Sequence, residues 1–258
     1  MTILITGAHG MVGKNISEHK TSKLFQTLNP PSSELDLLDI QAVDNYLKNK
    51  KPKIIIHCAG KVGGIQANIK EPIRFLVENL EIGKNLILSA RKHGIKKLIN
   101  LGSSCMYPKD GNNPLEENSI LNGHLEPTNE GYAIAKITSA KLCEYITREN
   151  SDYEYKTLIP CNLFGKYDNF DPQHSHLVAA IIHKVHLAKV KKKDTVEIWG
   201  DGQARREFMY ASDFADCIWR CVEKFDTLPQ YMNVGLGKDW SINEYYKTAS
   251  KVIGFKGK

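Results

Sequence analysis

The chain has 258 residues, 41% of them hydrophobic and 25% charged, with a formal net charge of +6. These values are typical of a folded globular protein and exclude a disordered chain. The sequence contains no apolar run of about 18 residues and no basic leader with a cleavage site. We therefore expect a cytoplasmic protein without a membrane partner.

Cysteine and charge patterns narrow the chemistry further. The six cysteines lack CxxC spacing, and Cys217 and Cys221, which share a helical face, make a poor metal site on their own. We expect structural thiols and no bound metal. The positive net charge suits an anionic small molecule. The basic run at residues 189–193 lacks interleaved aromatic residues, which favours a solvated turn over a nucleic-acid interface.

A glycine-rich turn follows the first predicted strand, at residues 2–6, and precedes a predicted helix at residues 14–20. In this arrangement glycines allow a tight turn, and the helix N-terminus offers unpaired N–H groups to a pyrophosphate. A purely structural turn is the alternative. We predict a dinucleotide site with the cofactor-binding residues Gly7, His9, Gly10, Met11, Val12 and Gly13.

The adenosine half of the dinucleotide is expected beside the segment that follows a second strand, predicted at residues 23–28. Asp36 and Leu37 are the predicted contacts there. The segment contains no arginine, and His9 and Lys14 are the nearest basic residues for a ribose 2'-phosphate. These residues therefore leave NADH open beside NADPH.

Strands and helices alternate over the first 160 residues. We predict strands at residues 53–57, 97–101 and 155–160, and helices at residues 40–48, at 72–91 and after a cap signal at 127–130. This alternation is typical of a doubly wound parallel sheet, the Rossmann type of α/β fold. Such sheets bind ligands at the carboxyl ends of their strands. Here the strand at residues 53–57 leads into a flexible loop at residues 59–65, which begins with Ala59. The strand at residues 97–101 leads into a bend at residues 102–108.

The pattern changes after residue 160. Residues 161–165 and 168–170 are predicted as loops, 199–202 as a turn and 232–234 as a strand, with helices from His174 to about residue 188, at 211–224 and at 242–253. We expect a dinucleotide-binding lobe at residues 1–160. Residues 161–258 are expected to form mainly a smaller, interleaved substrate lobe, with some segments returning to the first.

Tyr132 and Lys136 stand four residues apart in a predicted helix, so they share one face of it. A nearby ammonium is expected to lower the pKa of the phenol towards the range used in proton transfer. Ser103, at the end of a predicted strand, carries a hydroxyl able to hold a substrate carbonyl. Alone, such a Tyr–Lys pair is equally typical of an ordinary surface helix.

Together, Gly7-x2-Gly10-x2-Gly13, Ser103 and Tyr132-x3-Lys136 resemble the extended short-chain dehydrogenase/reductase family. Finer strings resemble the GDP-L-fucose synthases: KVGGI at residues 61–65, LGSSCMYPK at 101–109, LEPTNEGYAIAK at 125–136, DNF at 168–170, SH at 175–176 and REF at 206–208. The resemblance covers the whole chain and implies an NADPH-dependent epimerase and reductase acting on GDP-4-keto-6-deoxymannose. Family members continue past the match to residues 254–257, so we expect part of the usual substrate lobe to be absent.

The resemblance implies catalytic roles residue by residue. Tyr132 is the implied proton donor to the C4 oxygen, Lys136 its electrostatic partner and ribose anchor, and Ser103 the hydroxyl that holds the carbonyl. Cys105 and His176 are the implied base and acid for epimerisation beside the ketone. We expect their thiolate and imidazole to titrate close enough to neutrality for this chemistry. As single residues, Cys105 is typical of a buried small hydrophobe and His176 of a helix start.

Binding roles are implied in the same way. The implied substrate contacts are Val62, Gly63, Gly64, Ser104, Cys105, Asn162, Lys184, Trp199 and Arg206, while Tyr132, Lys136, Asn162 and His176 are implied cofactor contacts. An arginine is well adapted to a phosphate clamp. The resemblance also implies a homodimer formed through helices of the nucleotide lobe.

Some positions depart from the family pattern. His9 and Ser32 stand where better-known members carry arginines near the adenosine phosphate, Cys161 replaces a threonine, and Lys184 replaces an arginine. These changes are consistent with another sugar on GDP, such as a heptose. Two alternatives stay open: a nucleotide-sugar 4-epimerase or dehydratase that holds NAD and gives no net reduction, and an inactive cofactor-binding regulatory protein.

Overall fold

The computed structural model describes residues 1–111, 113–171 and 175–258. In chain order, the helices and strands of these residues are β1 (Thr2–Thr6), α1 (Met11–Glu18), β2 (Gln26–Leu28), α2 (Ile40–Lys50), β3 (Ile54–His57), α3 (Ile65–Lys70), α4 (Pro72–Lys92), β4 (Lys97–Leu101), α5 (Glu130–Glu149), β5 (Glu154–Pro160), β6 (Asn162–Phe164), α6 (Leu177–Val190), β7 (Arg205–Arg206), β8 (Phe208–Tyr210), α7 (Ala211–Glu223), β9 (Tyr231–Val234), β10 (Trp240–Ser241) and α8 (Ile242–Ile253).

The large sheet has the strand order β2-β1-β3-β4-β5-β9, and all its neighbouring strands run parallel. Parallel neighbours require crossover connections, which are helical along most of the chain. The strand order steps away from β1 in both directions, as in a doubly wound sheet. The predicted α/β fold is therefore confirmed.

Two hydrophobic layers cover the two faces of the sheet. Side chains alternate along each strand, so Ile3 and Ile5 of β1 lie in one cluster and Leu4 lies in the other. The first cluster includes residues of α1 and α7, and the second includes residues of α2, α4 and α5. Strands that are covered on both faces explain the nearly continuous apolar runs in the sequence.

Residues after β5 form a smaller assembly and also extend the large sheet. β6 pairs in parallel with β8, β7 pairs antiparallel with β10, and α6 packs against α8. By contrast, β9 pairs with β5 in the large sheet, and α7 packs on α1. None of the described helices is both long and apolar enough to cross a membrane.

Several predicted elements are wrong in detail. Residues 20–24 form a 3-10 turn, so the second strand is shorter than predicted, and Ile65 begins a helix instead of ending a loop. Residues 162–164, predicted as loop, form β6 because β8 supplies a partner far along the chain. His174, the predicted start of α6, lies outside the described residues, and His176 is the N-cap of that helix. The cap signal before α5 is also not realised, because Asn129 makes no capping hydrogen bond.

Candidate active site

The carboxyl edge of the large sheet has a layer of buried polar side chains. The register places Thr6 beside His57 and His57 beside Asn100. The hydroxyl of Thr6 lies 2.8 Å from Nδ1 of His57. Burial lowers the pKa of His57 to about 3, so this histidine is neutral at pH 7. The layer of polar side chains beneath the expected ligand site is therefore uncharged at His57, and Thr6 and His57 are hydrogen-bonded to each other.

The glycine-rich turn is packed too closely for side chains at two of its positions. Gly7 has a φ of +67°, and a Cβ there would lie 2.8 Å from backbone atoms of Ala59. A Cβ on Gly13 would lie 2.8 Å from Cα of Ala8. Gly10 is the N-cap of α1 and has no side chain to occupy the first N–H groups of the helix. The turn thus leaves a helix N-terminus open to a phosphate, as expected of a dinucleotide site.

Other predicted cofactor residues surround this turn. Met11 and Val12 form the start of α1. His9 is exposed, with its Nε2 3.3 Å from the carbonyl of Asn29, which follows β2. Lys14, by contrast, holds its ammonium 4.0 Å from the centre of the Tyr167 ring. His9 is thus the basic side chain directed to the end of β2.

Asp36 and Leu37 lie in the segment that leads from β2 to α2. Asp36 is exposed and Leu37 is buried in the second hydrophobic cluster. The carboxylate of Asp36 accepts a hydrogen bond from the backbone N–H of Leu38 at 2.9 Å. This bond fixes the turn and leaves the other carboxylate oxygen facing solvent.

Ser103, Cys105, Tyr132 and Lys136 come together where β4 ends. The backbone N–H of Cys105 donates to the Ser103 hydroxyl at 3.4 Å, and the Ser103 side chain lies close enough to Tyr132 to oppose the rise in the pKa of its phenol. The Lys136 ammonium donates to the Leu101 carbonyl at 2.8 Å and lies 5.8 Å from the centre of the Tyr132 ring. The predicted couple therefore shares one site with the predicted serine and cysteine.

A small hydrophobic cluster holds the turn at residues 103–107 against α5. Met106 and Tyr107, which follow Cys105, are buried against Ile137 and Ala140 of α5. Tyr107 also donates its hydroxyl proton to the side-chain oxygen of Asn233 at 2.6 Å. The turn is fixed on both sides, which sets the position of Ser103, Ser104 and Cys105 relative to the tyrosine.

Burial dominates the acid–base properties of the site. It raises the pKa of Tyr132, so the expected lowering by Lys136 is wrong. The Lys136 ammonium is itself buried, which lowers its pKa, and it hydrogen-bonds a backbone carbonyl. Burial also raises the pKa of the Cys105 thiol to about 11. The expectation that this thiol titrates near neutrality is therefore wrong as well.

The loop between β3 and α3 is held by Asn79 and passes close to Lys136. Asn79 of α4 accepts a hydrogen bond from the backbone N–H of Lys61 at 2.9 Å and donates to its carbonyl at 3.0 Å. A Cβ on Gly60 would lie 3.7 Å from the Lys136 ammonium. Asn79 thus satisfies backbone groups of this loop and orders a segment that was expected to be flexible.

The far end of the same loop reaches the segment before α6. The amide of Asn68 donates to the carbonyls of Gly63 and Gly64 at 2.9 Å and 3.1 Å. A Cβ on Gly64 would lie 2.8 Å from the carbonyl oxygen of Ser175. Glycine is therefore needed where this loop meets the residues that lead into His176. Val62 is exposed at the tip.

His176 faces an acidic neighbour. Desolvation of its ring lowers its pKa although the residue as a whole is exposed, and the nearby Asp168 carboxylate opposes this effect. Burial raises the pKa of Asp168 in turn, and the histidine opposes that shift. The pKa of His176 therefore lies below its usual range, and Asp168 limits the shift.

The four remaining predicted substrate residues fall into two groups. The Lys184 ammonium lies 4.5 Å from the centre of the Trp199 ring and donates to the Glu197 carbonyl at 3.5 Å. Trp199 is itself 65% exposed. Asn162 and Arg206 form the second group, on β6 and β7, and both are exposed.

Two residues of the site were missed from the sequence. Asn68 was not singled out, although a small amide in the short α3 helix, just after two glycines, is a typical backbone-binding signal. Glu207 lies inside the REF string, but its backbone carbonyl accepts the amide of Asn162 at 3.0 Å. This contact joins residues 45 positions apart, and no local pattern predicts it.

Comparison with known proteins shows to which family the chain belongs. The model of the NAD dependent epimerase/dehydratase family matches residues 3–235. The chain belongs to this family. Among curated members, it is 58% identical over 257 residues to a GDP-L-colitose synthase of Yersinia pseudotuberculosis, covering 100% of this chain and 83% of that protein.

Further family members agree with the resemblance to GDP-L-fucose synthases. A GDP-L-fucose synthase of Azorhizobium caulinodans is 48% identical over 255 residues, covering 99% of this chain and 81% of that protein, which confirms the resemblance. The solved structure of a GDP-mannoheptose C4 reductase from Campylobacter jejuni with NADP bound has a TM-score of 0.89 and 30% identity. It covers 99% of this chain and 86% of that one.

Proposed function

We propose that this protein uses NADPH to reduce the C4 ketone of a GDP-4-keto-6-deoxy sugar, and that it epimerises C3 or C5 at the same site. The observation that carries the proposal is the meeting of Ser103, Cys105, Tyr132 and Lys136 at the carboxyl end of β4. The named relatives, a colitose synthase, a fucose synthase and a heptose C4 reductase, support the same chemistry.

The residues of the first lobe fit a dinucleotide. The turn at Gly7 and Gly13 is a cradle that a Cβ would fill, and α1 presents its N-terminus there. His9 is the basic group nearest to β2. The solved heptose reductase holds NADP, which supports the phosphorylated cofactor here. We assign this role to residues 1–160, and the GDP-sugar mainly to residues 161–258.

Tyr132 acts as the proton donor in the reduction. Because burial raises its pKa, the phenol keeps its proton until a stronger base forms beside it. The C4 oxygen becomes such a base as the carbon gains a hydride, which NADPH supplies when bound. Ser103 lies beside the tyrosine and orients the carbonyl, and the Lys136 charge stabilises the phenolate that remains.

Cys105 and His176 serve the epimerisation. A C4 ketone acidifies the hydrogens on its neighbouring carbons, and donors near its oxygen stabilise the enolate. Cys105 lies beside Ser103, on the same turn, and removes such a proton as a thiolate. His176, poised beside Asp168, returns a proton to the other face.

The GDP group is assigned to the second lobe. Lys184 and Trp199 offer a cation and an exposed indole face in one place, which suits a nucleotide base and its phosphate. Arg206 is exposed on β7, and among the described residues no carboxylate pairs with its guanidinium. An unpaired arginine is well placed to bind a diphosphate.

The proposal includes a homodimer formed by α4 and α5. Each helix carries exposed apolar side chains at helical spacing, Ile73, Val77 and Leu88 on α4 and Ile134 and Tyr145 on α5. The two helices pack side by side, so the stripes form one surface. An unpaired apolar surface of this kind is typical of a protein–protein interface.

The decisive experiment mixes the protein with NADPH and a panel of GDP-sugars, namely the 4-keto precursors of GDP-L-fucose and GDP-L-colitose and a GDP-4-keto-heptose. Net loss of the reduced-nicotinamide absorbance is the expected result. Turnover without any absorbance change would favour an NAD-holding 4-epimerase or dehydratase. Cofactor binding without turnover of any of these sugars would favour the regulatory alternative.

A further inference from the structure

Glu207 stands where the chain passes between two small sheets. Arg206 ends β7, which pairs with β10, and Phe208 begins β8, which pairs with β6. Glu207 is half-buried between them. Its backbone and its side chain therefore meet different elements.

The carboxylate of Glu207 is enclosed by the turn that follows β9. Its Oε1 accepts hydrogen bonds from the backbone N–H groups of Leu236 and Gly237, the latter at 2.8 Å. A Cβ on Gly235 would lie 3.0 Å from the carboxyl carbon of Glu207. Among the described residues, no basic side chain forms an ion pair with this carboxylate. Its hydrogen bonds to the turn are thus accepted from main-chain donors.

The main chain of Glu207 faces the candidate substrate site. Its carbonyl accepts the amide of Asn162 at 3.0 Å, and the preceding Arg206 is in register with Trp240. Trp240 follows the same turn that wraps the carboxylate. One residue thus connects the last strand of the large sheet with both Asn162 and Arg206.

We propose that Glu207 is a positioning residue for GDP-sugar binding, and this rests on the proposed function. Its carboxylate fixes the turn after β9, and the turn fixes the strand that carries Arg206 and the carbonyl that orients Asn162. Glu207 does not touch the dinucleotide turn near Gly7, and among the described residues Asn162 is its one link to the implied cofactor contacts. Its removal therefore affects GDP-sugar binding far more than NADPH binding. A carboxamide supplies the same acceptor oxygen, so glutamine preserves the function.

Four variants of the full chain test this role: Glu207→Ala, Glu207→Gln, Gly235→Ala and, as control, Arg205→Ala. Arg205 is exposed on the same short strand and binds Asp239 instead of the turn. The measurements are the Kd values of GDP and of NADPH, KM and kcat for the keto-sugar, and hydrogen exchange of the Leu236 and Gly237 amides.

We expect Glu207→Ala to weaken GDP binding and raise KM about tenfold or more, since the two main-chain N–H groups of the turn lose their acceptor. Gly235→Ala, which forces a methyl group against the carboxylate, should act in the same direction. Glu207→Gln and Arg205→Ala should stay within about threefold of wild type, and the Kd of NADPH should change by less than about threefold in all four variants.

Two results would overturn the positioning role. In the first, Glu207→Ala or Gly235→Ala frees the two amides to exchange but leaves the Kd of GDP unchanged. In the second, NADPH binding falls in parallel with GDP binding. If the wild type binds GDP but turns over no keto-sugar, the proposed function is wrong. The Kd values of GDP for the four variants then still decide the role of Glu207.

Discussion

Around Tyr132, desolvation outweighs the attraction between charges. The Lys136 ammonium lies 5.8 Å from the phenol ring, yet burial raises the pKa of the tyrosine and lowers that of the lysine. A low-dielectric site disfavours any lone charge. The Tyr132 phenol therefore stays protonated at neutral pH, and the Cys105 thiol is seldom ionised.

Removal of one hydroxyl tests the proton donor. We expect Tyr132→Phe to reduce kcat for NADPH oxidation by about 10²–10⁴-fold, the usual contribution of a positioned acid. The Kd of NADPH should stay unchanged. Tyr153→Phe is the matched control, because that hydroxyl bonds the Arg91 carbonyl at the amino end of the sheet. Equal turnover of the two variants would remove the assigned role of Tyr132.

The pH dependence of solvent exchange tests the base. Since the pKa of Cys105 is raised to about 11, the thiol is mainly protonated below that pH, and the thiolate fraction grows as pH rises. We expect deuterium incorporation beside C4, measured in D2O with NADP⁺, to increase about tenfold for each pH unit from about pH 7 to 9. Cys105→Ser should abolish it and Cys217→Ser should not. A flat profile, or exchange retained without the thiol, would contradict the assignment.

At the scale of the element, the glycine turn between β1 and α1 packs closely against the backbone of the loop that follows β3. Gly13→Ala adds a methyl group 2.8 Å from Cα of Ala8, and overpacking of this kind costs about 1–3 kcal/mol. Gly10→Ala meets its nearest atom at 3.5 Å, an ordinary contact. Without cofactor, we expect the first variant to lose about 2–4 °C in Tm per kcal/mol and the second to keep its Tm. Equal melting temperatures would show that the turn relaxes freely.

Elements with strong local patterns were predictable from the sequence, and those made by distant partners were not. β4 has the predicted bounds, residues 97–101, because it is an apolar run covered on both faces. β6 was missed because its three residues become a strand only by pairing with β8. The spacing of Tyr132 and Lys136 placed the two side chains together, but burial, which reverses the expected pKa shift, depends on the whole fold.

At the scale of the whole molecule, α4 and α5 form a layer with one face in the core and the other open. Gly83 of α4 allows the close approach, because a Cβ there would clash with the Ser139 side chain of α5. The inner face of the layer packs on the sheet through residues such as Leu86 and Cys143. The outer face carries the apolar stripes, and two copies related by a twofold axis would cover each other's stripes as a four-helix layer.

Charged substitutions on that outer face test the homodimer. We expect the wild type to have twice the chain mass of 29.1 kDa by light scattering. Ile73→Asp combined with Ile134→Asp should reduce it to the single-chain mass, because unpaired carboxylates would be buried in the interface. Leu24→Asp, at a residue that is 75% exposed outside the two helices, is the control and should leave the mass doubled. A wild type that stays at the single-chain mass at every concentration would exclude this interface, since an area of about 800 Å² per partner normally gives stable association.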